Sequence, residues 1–491
     1  MKHSAGALIS LFDIDRSSPH SLYKQIYSTL RSSILAGHLE PGARIPSSRQ
    51  LASELHVSRN TIVQAYDQLQ AEDYLESGVG QGSYIKLNFA DILTPVKKTT
   101  RKHRTSVSKR GQAMLDAYTP ETPAGPPPPF APGIPALDRF PYREWQRVMQ
   151  RAGRIISCAE MNYGSTAGYL PLRKSLAAYL AISRGVKCSP EQIIMVNGVQ
   201  PGLDLIARIL TDPGDRVWIE EPGHYGARSA FAAAQNKLMP APVDEQGLLI
   251  SQDMQKDNDA KLVYVTPSHQ TPTGVIMSLE RRLQLLNWAQ SKGAWIIEDD
   301  YDSEFRYSGQ PLAALQGLVD DAPVLYMGTF SKTFVPSIRM AYLVVPESLV
   351  ETFCHARRTV DTHSPTPLQV AMQLFMEEGH LTTHIRKMRN LYAERQQLFL
   401  DAANKYFANS IRFNASDSGM HLVGDVGQQN DKLLSQAAQQ AGFMVPALSD
   451  YFIGKANRRG LVFGYTCVAS EDIDNKVKEL ATLLNPLLTA T

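Results

Sequence analysis

Lys332 stands in the run GTFSKTFVPSIRMAYLVVP, after a small hydroxyl residue and an apolar segment that reads as a strand, with Arg339 seven residues downstream. A lysine at the C-terminal end of a sheet strand is partly desolvated and can then form a Schiff base with an aldehyde. An aldehyde cofactor such as pyridoxal 5'-phosphate (PLP) also needs a carboxylate beside its ring nitrogen, to keep that nitrogen protonated as an electron sink. AWIIEDDY supplies one in Asp299 at a strand end, and Tyr301 is placed to hydrogen-bond a ring hydroxyl. A phosphate needs donors at a helix N-terminus. Gly198, Val199 and Gln200 provide them in VNGVQPGLDLIARIL, with Thr329, Ser331 and Arg339 completing the cup. Tyr225, in EEPGHYGAR, is a candidate to stack on the ring face. Taken singly, each residue has an ordinary explanation: a surface lysine, a solvated strand end, a glycine turn. Their order, each at the C-terminal end of an expected strand, argues against coincidence, because ligands of open α/β sheets bind at that edge.

The elements that must position these residues are legible as alternation. EQIIMVNGV, DRVWIEEP, KLVYVTP, AWIIEDDY and VLYMGTF are apolar runs separated by helical periods such as PGLDLIARIL and LERRLQLLNWAQSKG. This pattern predicts a mostly parallel sheet covered on both faces. From about residue 365 long helical stretches take over, followed by shorter strands in GMHLVG and RGLVFGYTCV, which predicts a smaller α+β subdomain.

A second constellation lies upstream. SLYKQIYSTLRSSILAGHL spaces Leu22, Ile26, Leu30 and Ile34 four apart, one stripe of a helix ending near Gly37. Two short helices, about 48–55 and 59–72, flank the turn His56-Val57-Ser58, with Leu51, Leu55, Val57, Ile62, Ala65, Tyr66 and Leu69 expected inside. This is a helix-turn-helix, and the tail YLESGVGQGSYI reads as a two-stranded wing. The second helix of such a unit enters the major groove of DNA. It opens here on Ser58, Arg59, Asn60 and Thr61, with Gln64 one turn later; Arg59 suits a guanine edge and Asn60 an adenine edge. Arg49 on the preceding helix is placed for a phosphate, and Gly80 and Gln81 at the wing tip for the minor groove. Ser58 and Asn60 would also suit helix capping, and Arg59 a solvated surface.

Charge separates the two halves. Residues 1–90 balance at zero, residues 91–112 carry +6 and residues 113–491 carry −4, so the excess sits in LTPVKKTTRKHRTSVSKRGQ. That stretch runs into AYTPETPAGPPPPFAPG, and together they read as a basic, proline-rich linker. The expected boundaries are 15–86 for the winged helix, 87–129 for the linker and 130–491 for the α/β part, its large portion 160–365 and its small one 366–491. At 491 residues with 43% apolar and 20% charged composition, the chain is a packed multidomain protein rather than a disordered one. No apolar run approaches the ~20 residues of a membrane span, and no signal-peptide pattern opens the chain. Cys158, Cys188, Cys354 and Cys467 are scattered, without metal-ligand or disulfide spacing, so no metal is expected and a cytoplasmic location is.

The upstream string PGARIPSSRQLASELHVSRNTIVQAYDQLQAEDYLESGVGQGSYI resembles the winged helix-turn-helix of GntR-family bacterial regulators over about residues 20–86. The succession YGSTAGYLPLR, NGVQPGLDL, EEPGHY, PSHQTPTG, EDDYDSEFRY, GTFSK and GLVFGYT resembles the fold type I aminotransferases, from about residue 115 onward. The combination resembles the MocR family, in which a GntR-type winged helix is fused to an aminotransferase-like domain. The resemblance implies a seven-stranded, mostly parallel sheet, PLP on Lys332, a homodimer, and Tyr163 reaching the neighbouring subunit's phosphate. It implies a DNA-binding regulator that senses PLP itself or an amine or amino acid, controlling vitamin B6 or amino-acid/amine metabolism genes.

Two departures bear on that expectation. Where aminotransferases carry an asparagine in NPTG, this chain reads His269-Gln270-Thr271-Pro272-Thr273-Gly274, so His269 or Gln270 is expected to meet the cofactor differently. The arginine that grips a substrate carboxylate before the last strand is displaced. Arg458 and Arg459 lie near that place, and Arg228 is a further candidate to bind the effector. A working aminotransferase with an accessory DNA-binding domain is the alternative, and an aminotransferase-like dimerisation scaffold a third reading.

Overall fold

The computed structural model of the chain describes residues 12, 14–78, 82–86, 107–116, 125–309, 312–408 and 410–489. It divides into two compact units, residues 1–106 and 107–491.

In the first unit, α1 (Leu22–Leu35), α2 (Ser48–Glu54) and α3 (Arg59–Ala71) pack around Ile26, Leu30, Leu51, Ile62, Ala65 and Leu69. Serines start the two short helices: Ser47 accepts from the Gln50 amide and Ser58 from the Thr61 amide, each satisfying a donor that helix geometry leaves without a partner. Leu55 and Val57 are only partly buried. The expected two-stranded wing has a third strand. β1 (Arg44–Ile45), β2 (Leu75–Gly78) and β3 (Gly82–Ile85) run antiparallel in the order β1-β3-β2, with Ile45 tucked into the helical core.

The second unit is built on one large sheet. Its strands are β4 (Ile193–Val196), β5 (Arg216–Glu221), β6 (Lys237–Asp244), β7 (Gly247–Leu248), β8 (Ala260–Val265), β9 (Trp295–Asp300), β10 (Val324–Thr329) and β11 (Ala341–Val344), in the order β4-β11-β10-β9-β8-β5-β6-β7. β10, β9, β8, β5 and β6 are mutually parallel, and β11 is antiparallel to both its neighbours. The expected count of seven strands becomes eight, because the Asp244–Gly247 turn folds the two-residue β7 back on β6. Both faces are covered, which is why these strands read as unbroken apolar runs. Leu203, Ile206, Phe231 and Phe353 close one face, while Leu285, Leu286 and Ala289 of the helix Leu279–Lys292 close part of the other.

The small subdomain has its own sheet, β12 (Arg412–Phe413), β13 (His421–Asp425) and β14 (Gly460–Gly464), in that order and antiparallel. Its core joins Met388, Tyr392 and Phe399 of the helix His380–Phe407 to Leu422, Phe463 and Leu480. The helix Thr366–Glu377 belongs elsewhere: Val370, Ala371, Met372 and Phe375 pack with Leu172, Leu176 and Tyr342 of the large portion. The packing border therefore falls inside the helix His380–Phe407, between Ile385 and Met388, rather than at residue 366. Residues Lys109–Asp116, within the stretch expected as linker, form a helix with no buried residue that lies against the helix Tyr225–Ala233.

Candidate functional site

A cavity of about 610 Å³ opens at the C-terminal edge of the large sheet. β4 ends before Gly198, β5 before His224 and Tyr225, β9 at Asp299 and β10 before Ser331 and Lys332, so four strand ends of one sense deliver the site. Val199, Gln200, Tyr225, Asp299, Tyr301, Thr329, Ser331, Lys332 and Arg339 all line it. Among these, Lys332 sits in the one-turn helix Phe330–Thr333, whose start is capped by Thr329 Oγ1 accepting from the Ser331 amide at 3.0 Å. Lys332 Nζ donates to the Gly133 carbonyl at 2.7 Å, and burial pushes its ammonium pKa down.

The carboxylate of Asp299 is 3% exposed. Tyr264 Oη donates to its Oδ2 at 2.6 Å, while Oδ1 is buried with no hydrogen-bond partner among the described residues. Burial pushes its pKa up to about 7; the Tyr264 hydrogen bond and Lys332 pull against that, and Asp300 and Asp302 add to it. Asp300 behind it is held ionised despite burial, by Arg184 Nε at 2.6 Å and by Tyr326 Oη at 2.6 Å. The two adjacent carboxylates thus have opposite settings: Asp300 stays ionised in its pairing with Arg184, and Asp299, its pKa raised, lines the cavity.

At the phosphate end, Gly198 is the N-cap of the helix Val199–Leu210 with φ 118°, a conformation favouring glycine. A Cβ there would sit 2.6 Å from Arg339 Nη2, so the missing side chain lets the guanidinium lie against the helix N-terminus. Arg339 itself holds φ 50° in the left-handed region, a strain of roughly 1–2 kcal/mol that aims its side chain back toward Gly198. An unsatisfied carboxylate oxygen, a desolvated lysine and a guanidinium cradled at a helix N-terminus meet the three needs of PLP: ring nitrogen, aldehyde carbon and phosphate.

Other expected contacts fall differently. His269 is 1% exposed and does not line the cavity. Its Nδ1 lies 3.0 Å from both Asp302 Oδ2 and Tyr301 Oη, so it stands behind Tyr301, which donates to the His269 carbonyl at 3.0 Å. Gln270 is also turned inward, donating to the Pro222 carbonyl, and Thr271 lines the cavity instead. Tyr163 is 85% exposed and away from the cavity lining. Arg228 donates to the carbonyls of Asp450 and Phe452, at 3.2 and 3.0 Å, and Arg458 is exposed; neither lines the cavity. The lining also includes His224, Tyr264, His421 and Tyr451, which sequence reading missed.

In the first unit Arg49, Ser58, Arg59, Asn60 and Gln64 are exposed and Thr61 is partly so. Ser58 does act as a cap, and its hydroxyl also lies 2.8 Å from that of Thr61, while Arg59 Nε reaches Ser48 Oγ at 3.4 Å. Gly80 and Gln81 lie outside the described residues. Among the described residues no helix is long and apolar enough to cross a membrane.

Residues 137–459 match the family described as aminotransferase class I and II, and residues 22–85 match the gntR family of bacterial regulatory proteins. The chain is 38% identical, over 95% of its length and 94% of the relative's, to the "Probable rhizopine catabolism regulatory protein MocR" of Rhizobium meliloti. It is 32% identical, over 91% of its length and 92% of the relative's, to the HTH-type pyridoxine biosynthesis transcriptional regulator PdxR of Corynebacterium glutamicum. Among solved structures it is similar to LysN, an α-aminoadipate aminotransferase of Thermus thermophilus complexed with N-(5'-phosphopyridoxyl)-L-leucine. That likeness has a TM-score of 0.68 and 25% identity, and covers 78% of this chain and 96% of that one.

Proposed function

Because the chain belongs to the aminotransferase class I and II family and carries a gntR-family module ahead of it, in the manner of MocR-type regulators, we propose that it is a PLP-dependent DNA-binding transcription regulator. The observation that carries this reading is the presence, in one chain, of an exposed recognition helix and a cavity with the three PLP-holding features. When bound, PLP supplies an aldehyde that condenses reversibly with primary amines.

The protein's own residues define what the cavity does. Lys332 offers the amine that holds the aldehyde carbon, its charge already disfavoured by burial. Asp299, held by Tyr264, would keep a proton on the ring nitrogen, and Tyr301, held at the His269 carbonyl, would be the hydroxyl donor to the ring oxygen. Arg339, the Val199 and Gln200 amides, Thr329 and Ser331 would take the phosphate, and Tyr225 would be the residue to cover a ring face. Arg59 and Asn60 read base edges while Arg49 holds a phosphate of the DNA backbone. The active species is a cytoplasmic homodimer, with Tyr163 of each chain serving the neighbouring site. A ligand that favours one state of the cavity shifts operator affinity by its differential binding to the two states, without turnover being required.

Borohydride reduction of purified protein followed by peptide mapping tests the cofactor half, and footprinting tests the DNA half. The expected result is a PLP adduct on Lys332 and a protected operator; an adduct on another lysine, or no sequence-selective protection, contradicts the reading.

A further inference from the structure

With Lys332 and Arg339 committed to the cofactor as proposed above, the cavity's remaining wall is made largely of Pro127, Pro128, Ile134, Met444, Pro446 and Val462. The aromatic pair Tyr225 and Tyr451, ring centroids 4.3 Å apart and hydroxyls hydrogen-bonded to each other, adds flat surface and two phenolic oxygens.

Among the described residues of this chain, no cationic side chain lies in this wall. Among the described lining residues the cationic side chains are Lys332 and Arg339. His224 and His421 also line the cavity, but burial holds them near pKa values of about 4 and about 3, so both are neutral at pH 7. Arg228 is engaged by two carbonyl oxygens outside the lining. At the start of β14, Gly460 has no room for a side chain, since a Cβ there would lie 2.6 Å from the Gly424 carbonyl oxygen. A carboxylate entering among prolines and aliphatics would lose its water with no counter-charge from the described lining of its own chain.

We propose that the effector of this cavity is a primary amine whose body carries no carboxylate, an alkyl, aromatic or hydroxylated amine rather than an amino acid. Its nitrogen takes the place of the Lys332 nitrogen on the cofactor's aldehyde carbon. One carbon–nitrogen double bond forms as the other breaks, and the two protons of the incoming amine pass to the Lys332 nitrogen, so no oxidant or reductant is involved. The amine body would then lie against the proline wall and Tyr451.

The test uses full-length protein loaded with PLP, its visible band verified against Lys332→Ala. Phenethylamine is titrated against phenylalanine and tyramine against tyrosine, following the band. The expected half-saturation is at least about tenfold lower for each amine than for its amino acid. Met444→Arg, which places a cation at a half-buried point of the wall, should narrow or reverse that order in the protein that retains the band. A loaded chain that binds the amino acids as tightly as the amines, or binds neither, overturns the proposal alone. A wild-type chain without the Lys332-dependent band overturns the cofactor reading and this proposal with it.

Discussion

Tyr264→Phe isolates how the carboxylate at the ring-nitrogen position is held. Tyr264 Oη donates to Asp299 Oδ2 at 2.6 Å, and burial has raised the Asp299 pKa to about 7. For folding, a raised acid contributes fully below the unfolded value of about 4 and loses that contribution as the pH climbs through about 7. PLP binding runs the other way, because the ionised carboxylate is the form that holds a protonated ring nitrogen, so affinity should rise through about pH 7. A hydrogen bond to a charged group contributes ~1.5–3 kcal/mol, roughly one to two pK units. Removing the hydroxyl should therefore move the midpoint of the affinity rise up by about one to two units and weaken PLP binding roughly 5- to 50-fold at pH 7. Tyr to Phe nearly conserves volume, so packing should survive. PLP titrations of both proteins from pH 5.5 to 9.5, read by absorbance, measure the midpoints. A midpoint that stays in place or moves down contradicts the role given to the Tyr264 hydroxyl.

Gly133→Ala would set a Cβ 2.8 Å from Lys332 Nζ at a backbone φ of 71°, and should cut the fraction of borohydride-trapped adduct at limiting PLP about tenfold, measured by mass spectrometry. Arg184→Met strands the buried Asp300 carboxylate, and should cost about 3–5 kcal/mol in denaturant unfolding, with Arg184→Met/Asp300→Leu recovering part of it. Arg59→Ala and Asn60→Ala should each cost ~1–3 kcal/mol on the operator and relax specificity at one position, seen by footprinting variant sites. Arg49→Ala should weaken binding evenly across sequences and lower the salt slope by about one, seen by salt titration.

The site residues that sequence could reveal are those fixed by the strand edge. Asp299, Lys332 and Gly198 lie at or just after the ends of short apolar runs, and the alternation of those runs with helical periods reads them as strands with these residues at the C-terminal edge. The serine caps and apolar stripes of the first unit are local in the same way. What depends on distant packing was hidden. The stretch GPPPPFAPG has linker composition, yet Phe130 is fully buried with Phe399, Phe443 and Phe463, and Pro127 and Pro128 line the cavity. Proline-rich backbone has few donors to satisfy and can cross a cavity mouth without a ladder, which composition does not distinguish from a spacer. His269 looked like a cofactor contact by position, but its imidazole is drawn inward by Asp302, and Gly419 leaves it room: a Cβ there would lie 2.0 Å from the ring. The NPTG pattern itself pointed to Thr271, the residue directly before the proline. The helix Thr366–Glu377 could not be assigned to a subdomain from its period, because an apolar stripe does not say which core it faces.

In the proposed regulator the cavity around Lys332 governs the affinity of the recognition helix for DNA. Operator affinity of the full-length protein, measured with and without saturating PLP for the wild type and for Lys332→Ala, tests it most directly. PLP should change wild-type affinity several-fold and leave Lys332→Ala, still able to bind the operator, unresponsive. Equal affinities with and without PLP in the wild type, or an identical response in Lys332→Ala, would contradict it.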